Sequence, residues 1–168
     1  SLLWVATSVT GVSSTKLPAI SNGFTIAKRY FDINGEEIDI KNLQQTDMVV
    51  VVIEGVAKHD LSQQSLIVDL LPAGLELENS RLSNTLSLDS FDWIGKLSPT
   101  EHQEYLDDRF VAAVSTQSGK NFKVAYLARV VTPGVYQVPA VQIEAMYAPE
   151  IRARSTMMEM TIVPFKAE

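Results

Sequence analysis

The sequence predicts an all-β protein, an antiparallel sandwich of two sheets with one short helix near residues 99–106. Segments rich in Val, Ile, Thr, Phe and Tyr place apolar residues at every second position, which is typical of strands. Residues that favour turns, such as Pro and Gly, separate these segments at the regular spacing of a β-sandwich. Because every apolar sheet face must be covered, about nine or ten strands in 168 residues favour two packed sheets over one open sheet.

The first half of the chain is predicted to contain strands over 4–12, 23–31, 48–56 and 66–71. Asn34 and Gly35 tolerate positive φ, so they predict a tight turn that folds the second strand back against residues 37–40. The third strand has apolar residues on both faces, which indicates a central strand covered on both sides. A Pro-Ala-Gly turn over 72–74 ends the fourth strand, and residues 76–91 are expected to form a surface excursion.

The second half begins with the predicted helix. The sequence Ser-Pro-Thr-Glu over 98–101 fits a helix start, with a hydroxyl N-cap, a proline at the first helical position and an acidic residue three positions after the cap. Strands over 109–115 and 122–131 are expected to pair as a hairpin, because Gly119 between them can adopt a tight-turn conformation. The remaining strands are predicted over 135–138, 141–146 and 157–163.

Composition and charge exclude several classes of function. The net charge of −6 and the scattered basic residues argue against nucleic acid or anionic lipid as a partner. The longest apolar run, residues 48–53, is far shorter than the ~20 residues needed to cross a bilayer. The chain has no cysteine, which excludes disulfides, thiolate nucleophiles and cysteine metal sites. We expect a single domain over 1–168 that is a fragment of a larger protein, and a monomer when isolated.

Histidines and carboxylates offer little catalytic or metal-binding chemistry. His59 and His102 are the only histidines, and both are expected in solvated loops because no known metal-ligand spacing accompanies them. Asp107 and Asp108 beside Arg109 could share acid and base roles, but we expect one of them to cap the short helix or to pair with the arginine. The sequence therefore predicts no enzyme, no metal and no cofactor.

Asp69 is an acidic residue inside an otherwise apolar strand. A buried carboxylate needs a partner, so this side chain is expected either to face solvent or to be tied to backbone or to an arginine.

The segment 145–150 is unusual because Met146 and Tyr147 stand side by side where a predicted strand runs into a turn that ends in proline. Large apolar side chains at a strand end can close the core of their own domain. A Met and a Tyr at the mouth of a loop can equally cover a neighbouring surface. Composition leaves both alternatives open.

Five motifs in a fixed order resemble the last macroglobulin-like domain of bacterial alpha-2-macroglobulins. They are Tyr-Phe-Asp at 30–32 with Gly35, Leu-Pro-Ala-Gly-Leu-Glu at 71–76, Asp-Asp-Arg-Phe at 107–110, Val-Thr-Pro-Gly-Val-Tyr-Gln-Val-Pro at 131–139 and Glu-Ala-Met-Tyr at 144–147. The similarity spans residues 4–163, and the last two motifs are its specific part.

The resemblance implies a macroglobulin or immunoglobulin-like sandwich with a regulatory, non-enzymatic role. Members of the family are large periplasmic proteins, often lipid-anchored at the inner membrane, that trap target proteases. Cleavage of a bait segment exposes a thioester that lies in another domain of the same polypeptide. The last domain packs against that thioester domain, and an aromatic residue on it keeps water and amines away from the thioester before cleavage.

The same resemblance implies Tyr147 as the shielding residue, with Met146 as its apolar neighbour and Tyr105, on the predicted helix, as the fallback. The other tyrosines on predicted strands are expected to lie in the core or on sheet faces, namely Tyr30, Tyr126 and Tyr136.

Two other functions remain open from the sequence. The first is an immunoglobulin-like stalk or adhesin repeat with a spacing or surface-binding role, which a Cys-x-x-Gln thioester motif elsewhere in the parent protein would exclude. The second is a small hydrolase that uses Asp107, Asp108 or His102, which would require a cleft that joins those residues.

Overall fold

The computed structural model describes residues 7–8, 16–59, 62–78 and 87–165. Over these residues the regular secondary structure is almost entirely β-strand, as the sequence predicts. It forms thirteen strands: β1 Ile20–Asn22, β2 Phe24–Phe31, β3 Leu43–Gln44, β4 Met48–Ala57, β5 Gln63–Leu70, β6 Leu75–Glu78, β7 Thr100–Leu106, β8 Arg109–Thr116, β9 Asn121–Val130, β10 Gly134–Val138, β11 Gln142–Ala145, β12 Ala148–Arg154 and β13 Met158–Val163. Single turns of 3₁₀ helix occupy Ile40–Asn42, Leu88–Ser90 and Asp92–Ile94. None of these turns is long enough to span a bilayer, and the described residues contain no helix that could.

Two sheets form the sandwich. The six-stranded sheet has the order β1-β12-β11-β5-β8-β7, and the four-stranded sheet has the order β2-β4-β9-β6. The main core lies between them, with Phe24 and Tyr126 from the smaller sheet packed together with Phe110 and Ile143 from the larger one. A third sheet, β10-β13-β3, adds Met160 and its neighbours to the same core. The strands pair antiparallel except for β3 with β13.

The prediction of a central strand over 48–56 is confirmed by β4. Val49, Val51 and Ile53 point into the main core, while Val50 and Val52 point to the opposite face. That outer face is covered by a second apolar cluster from the 3₁₀ turns, whose buried members are Phe91 and Ile94. Part of the predicted surface excursion therefore packs on the sheet.

The short helix predicted over 99–106 is wrong, because this segment is β7. Ser98 does not act as an N-cap. Its hydroxyl accepts a hydrogen bond from the backbone N–H of Lys123, and its own N–H donates to the carbonyl oxygen of Lys123. These bonds to β9 leave the following residues extended, with Tyr105 half-buried on the inner face. Tertiary pairing overrides the local capping signal.

The hairpin predicted between 109–115 and 122–131 is also wrong. β8 pairs with β5 and β7, whereas β9 pairs with β4 and β6, so residues 117–120 cross from one sheet to the other. The tight turn itself is present, with Gly119 at a φ of 69°. Backbone bonds from this turn to Ala57 draw the chain into the four-stranded sheet.

Other elements differ in smaller ways. Gly35 adopts the expected turn, with a φ of 92°, but residues 37–40 pair only through one bridge between Phe31 and Glu37. The turn after β5 is present at Ala73 and Gly74. Strands β1, β3, β6 and β12 have no counterpart in the sequence prediction. The strand predicted over 4–12 lies outside the described residues, apart from 7–8, which are not in a strand.

Candidate functional site

Met146 and Tyr147 form the two-residue turn between β11 and β12, which we call the hairpin tip. The flanking residues, Ala145 and Ala148, are register partners in the two strands. Tyr147 is 86% exposed and Met146 is 44% exposed. The tip therefore lies outside the core, and the alternative in which these side chains close their own core is wrong.

Backbone contacts hold the hairpin tip to the sheet. The N–H of Met146 donates a 2.8 Å hydrogen bond to the carbonyl oxygen of Gln64, in the adjacent strand β5. Ala145 is fully buried and pairs with Ser65 of the same strand. The base of the turn is thus part of the sandwich, while the phenol ring of Tyr147 extends into solvent.

A bulge in β12 follows the hairpin tip. Glu144 pairs with Arg152, but the next residue along β11, Ala145, pairs with Ala148. Residues 149–151 therefore have no partners on β11. Bulges of this kind bend a strand and change the direction of the side chains next to it.

Tyr105 occupies a different environment. Its ring centroid lies 5.5 Å from that of Phe110, and its hydroxyl donates to Oε1 of Gln103 at 3.3 Å. Tyr105 is the register partner of Phe110, which in turn pairs with Asp69 near the end of β5. Ala145, at the base of the hairpin tip, pairs with Ser65 near the start of β5. The two candidate shielding tyrosines therefore lie at opposite ends of the six-stranded sheet.

The remaining tyrosines on predicted strands lie where the sequence indicates. Tyr30 and Tyr126 are buried in the main core, and Tyr136 is half-buried against it.

Asp69 is fully buried, and its partners are a lysine and a tyrosine rather than backbone or an arginine. Lys28 Nζ lies 2.7 Å from Oδ1 of Asp69, and the hydroxyl of Tyr126 donates to Oδ2 at 2.8 Å. Lys28 also donates to the carbonyl oxygen of Pro139 at 3.1 Å. Burial raises the pKa of Asp69, and the charge and hydrogen bonds of Lys28 and Tyr126 act against that rise. Burial is also the main cause that raises the pKa of Tyr126. The cluster is enclosed, so it has no surface on which a substrate could bind.

The two histidines are far from any catalytic arrangement. His59 is buried rather than solvated, with its ring edge-on to Phe24 at 4.8 Å and its Nε2 3.4 Å from Oγ1 of Thr116. His102 is exposed, but it lies on β7 rather than in a loop. Its Nε2 is 2.8 Å from Oε1 of Glu104. In the part of the chain that the structure describes, no group of three or more His, Cys, Asp or Glu could hold a metal ion.

The acidic turn between β7 and β8 contains an exposed ion pair, in which Nη2 of Arg109 lies 2.6 Å from Oδ2 of Asp108. This confirms the expected pairing of one aspartate with the arginine. The arginine lowers the pKa of Asp108, chiefly through the side-chain hydrogen bond. His102 lies four residues before the end of β7, roughly 13 Å along an extended strand, so the structure does not bring it to the acidic pair.

Comparison with known proteins gives a consistent set of relatives. A family model described as the bacterial alpha-2-macroglobulin MG10 domain matches residues 23–150. Alpha-2-macroglobulin of Escherichia coli is 36% identical over 170 residues, which covers 96% of this chain and 10% of that protein. The chain thus spans about a tenth of the length of the curated relatives it matches first.

Two solved structures illustrate the likeness in three dimensions. Escherichia coli alpha-2-macroglobulin activated by porcine elastase superimposes with a TM-score of 0.82 and 34% identity, over 92% of this chain and 14% of that chain. Salmonella alpha-2-macroglobulin reacted with methylamine gives a TM-score of 0.78 and 34% identity, over 92% of this chain and 10% of that chain.

Proposed function

This chain belongs to the family of bacterial alpha-2-macroglobulin MG10 domains, and on that premise we propose that it is a non-enzymatic regulatory domain of a protease-trapping protein. In this proposal the chain is one domain of a longer polypeptide. It packs against the thioester domain of that polypeptide, and Tyr147 covers the thioester until a protease cleaves the bait segment.

The exposure of Tyr147 is the observation that carries the proposal. A thioester persists in water only where nucleophiles are excluded, and a phenol ring is a large, rigid group for that purpose. Tyr147 is 86% exposed on a turn that the paired strands β11 and β12 hold in place, with the apolar side chain of Met146 beside it. The reaction of a Salmonella relative with methylamine supports the presence of an amine-sensitive group in such proteins.

The test is the rate of thiol release by methylamine from the full-length protein that carries this domain. We expect Tyr147→Gly to release thiol much faster than the wild type, because amines reach the thioester once the ring is gone. Val135→Ala is the matched control, because Val135 is 66% exposed on β10 and is not part of the hairpin tip.

Other outcomes of this test would contradict the proposal in different ways. Equal rates for wild type and Tyr147→Gly, with fast release from Tyr105→Ala, would move the shield to Tyr105. No thiol from any variant would instead favour an immunoglobulin-like stalk or adhesin repeat.

The cellular setting is part of the same proposal. We place the parent protein in the periplasm, lipid-anchored at the inner membrane, where it would meet target proteases. Cell fractionation of the full-length protein with and without its lipid attachment site tests this location. Recovery of both forms in the cytoplasmic fraction would contradict it.

A further inference from the structure

The bulge in β12 needs contacts from outside its own hairpin. Residues 149–151 have no register partners on β11, so their backbone groups and side chains are held by other elements or by solvent. Asn22, in the adjacent strand β1, supplies one contact. Its Nδ2 donates a 2.6 Å hydrogen bond to the carbonyl oxygen of Glu150, which is only three residues from Tyr147.

A second contact on the bulge is steric. Gly23 follows Asn22 and has a φ of 79°, a conformation that side chains other than glycine rarely adopt. A Cβ at this position would lie 2.5 Å from Cγ2 of Ile151. Glycine therefore lets the half-buried side chain of Ile151 pack closely on the backbone just after β1 and against the main core. Two neighbouring residues of the bulge, Glu150 and Ile151, are thus contacted by Asn22, the last residue of β1, and by Gly23, which follows it.

Together with the bond to β5, these contacts hold the hairpin from two sides. On one side the N–H of Met146 is bonded to Gln64. On the other side the carbonyl of Glu150 is bonded to Asn22. Strand pairing already holds the base of the hairpin on both flanks, β11 to β5 and β12 to β1. The bonds of Met146 and Glu150 lie nearest the tip on these two flanks, so they are the ones placed to set the direction of the ring of Tyr147.

We propose that Asn22 is a positioning residue, which aims Tyr147 by fixing the bulge that follows the hairpin tip. This inference rests on the proposed function, because aim matters only if Tyr147 covers a thioester. Without this hydrogen bond, the hairpin tip lies away from the thioester for part of the time, and amines reach the thioester during that time.

The experiment measures thiol release by methylamine from the full-length protein. Asn22→Asp keeps the shape of the side chain but replaces the donor Nδ2 with an oxygen that faces the carbonyl of Glu150. We expect release roughly three- to tenfold faster than in the wild type, which corresponds to the loss of one hydrogen bond. Ser21→Ala is the matched control, because its hydroxyl donates to the carbonyl of Phe24 rather than to the hairpin, and it should release thiol at the wild-type rate.

A double variant separates positioning from general destabilisation. If Asn22 acts through Tyr147, Asn22→Asp combined with Tyr147→Gly should release thiol no faster than Tyr147→Gly alone. A further acceleration by the same factor as in the single variant would overturn the proposal. Thermal unfolding of each variant checks that the domain is folded, and Asn22→Ala replaces Asn22→Asp if the introduced charge prevents folding.

The failures of the two proposals are distinguishable. A wild-type rate for Asn22→Asp beside a fast rate for Tyr147→Gly overturns only the role of Asn22. A wild-type rate for Tyr147→Gly overturns the shield itself, and the positioning role falls with it.

Discussion

Asp69 is fully buried and Tyr147 is 86% exposed, and the environment of each side chain decides what it can do. The carboxylate of Asp69 is stable inside the sandwich because Lys28 and Tyr126 bond both of its oxygens. Its role is to join β2, β5 and β9 across the two sheets. Tyr147 has its ring in solvent, so the packing of this domain does not depend on it, and in the proposed function its role is to cover another surface.

At the residue scale, Tyr126→Phe should lower the free energy of unfolding by about 2 kcal/mol, because it removes a hydrogen bond to a buried charged group without changing the packing of the ring. Tyr136→Phe is the matched control. Its hydroxyl donates to the exposed carbonyl of Thr132 at 2.9 Å, so we expect a loss of about 1 kcal/mol or less. Urea unfolding of both variants measures the difference, and equal losses would contradict the special role given to Asp69.

At the scale of single elements, the turn after β2 is organised by Asp32. Its carboxylate accepts hydrogen bonds from the backbone N–H groups of Asn34 and Glu36, both at 2.8 Å. The bond from Glu36 is the largest cause that lowers the pKa of Asp32 below its ordinary value of 3.8. A carboxylate with a lowered pKa stabilises the folded state above its ordinary pKa. That contribution is lost as the pH falls through the lower pKa of the folded state.

Asp32→Asn should therefore weaken the pH dependence of stability at and below pH 3.8. The amide does not titrate, so the urea midpoint of the variant should fall less steeply than that of the wild type between about pH 4 and about pH 2. Asp92→Asn provides a control at another acidic residue, which lies in the first turn of the 3₁₀ helix Asp92–Ile94. Parallel curves for the wild type and Asp32→Asn would contradict this account of the turn.

The elements that sequence patterns predict best are those whose signals are local. The apolar run of β4 and the turn at Ala73 and Gly74 are both present as predicted. The helix over 99–106 fails because Ser98 bonds to Lys123, a residue 25 positions away. Local sequence contains no information on that pairing. The sheet in which each strand pairs also depends on contacts between residues distant in sequence. For this reason the sequence patterns do not predict that residues 117–120 cross from one sheet to the other.

The candidate site shows the same limit. A Met and a Tyr between a strand and a proline-bearing segment are visible in the sequence, and the resemblance to a known family implies Tyr147. The bulge that aims this side chain depends on contacts between β1 and β12, residues about 130 positions apart in the chain. Asn22 and Gly23 therefore have no role that the sequence alone could assign, although a glycine between two strand-like segments is a sign of close backbone approach.

At the scale of the whole molecule, the core and the hairpin tip are separate parts of the sandwich. Phe110 lies between the sheets with no exposed surface, and its ring centroid is 4.7 Å from that of Tyr126. The tip lies beyond the core and contacts it through the backbone of Met146 and the buried Ala145. Stability and shielding should therefore respond to different substitutions.

This separation predicts opposite results for two aromatic substitutions. Phe110→Ala should lower the free energy of unfolding by about 3–5 kcal/mol, because it leaves a cavity between the two sheets. Tyr147→Gly should change it by less than about 0.5 kcal/mol, as expected for an exposed side chain, and yet accelerate thiol release in the full-length protein. Urea unfolding of the domain and methylamine reactivity of the parent, measured on the same variants, make the comparison. A loss of stability in Tyr147→Gly close to that of Phe110→Ala would mean that faster thiol release reports unfolding of the sandwich, and the shield would then have to be sought elsewhere on its surface.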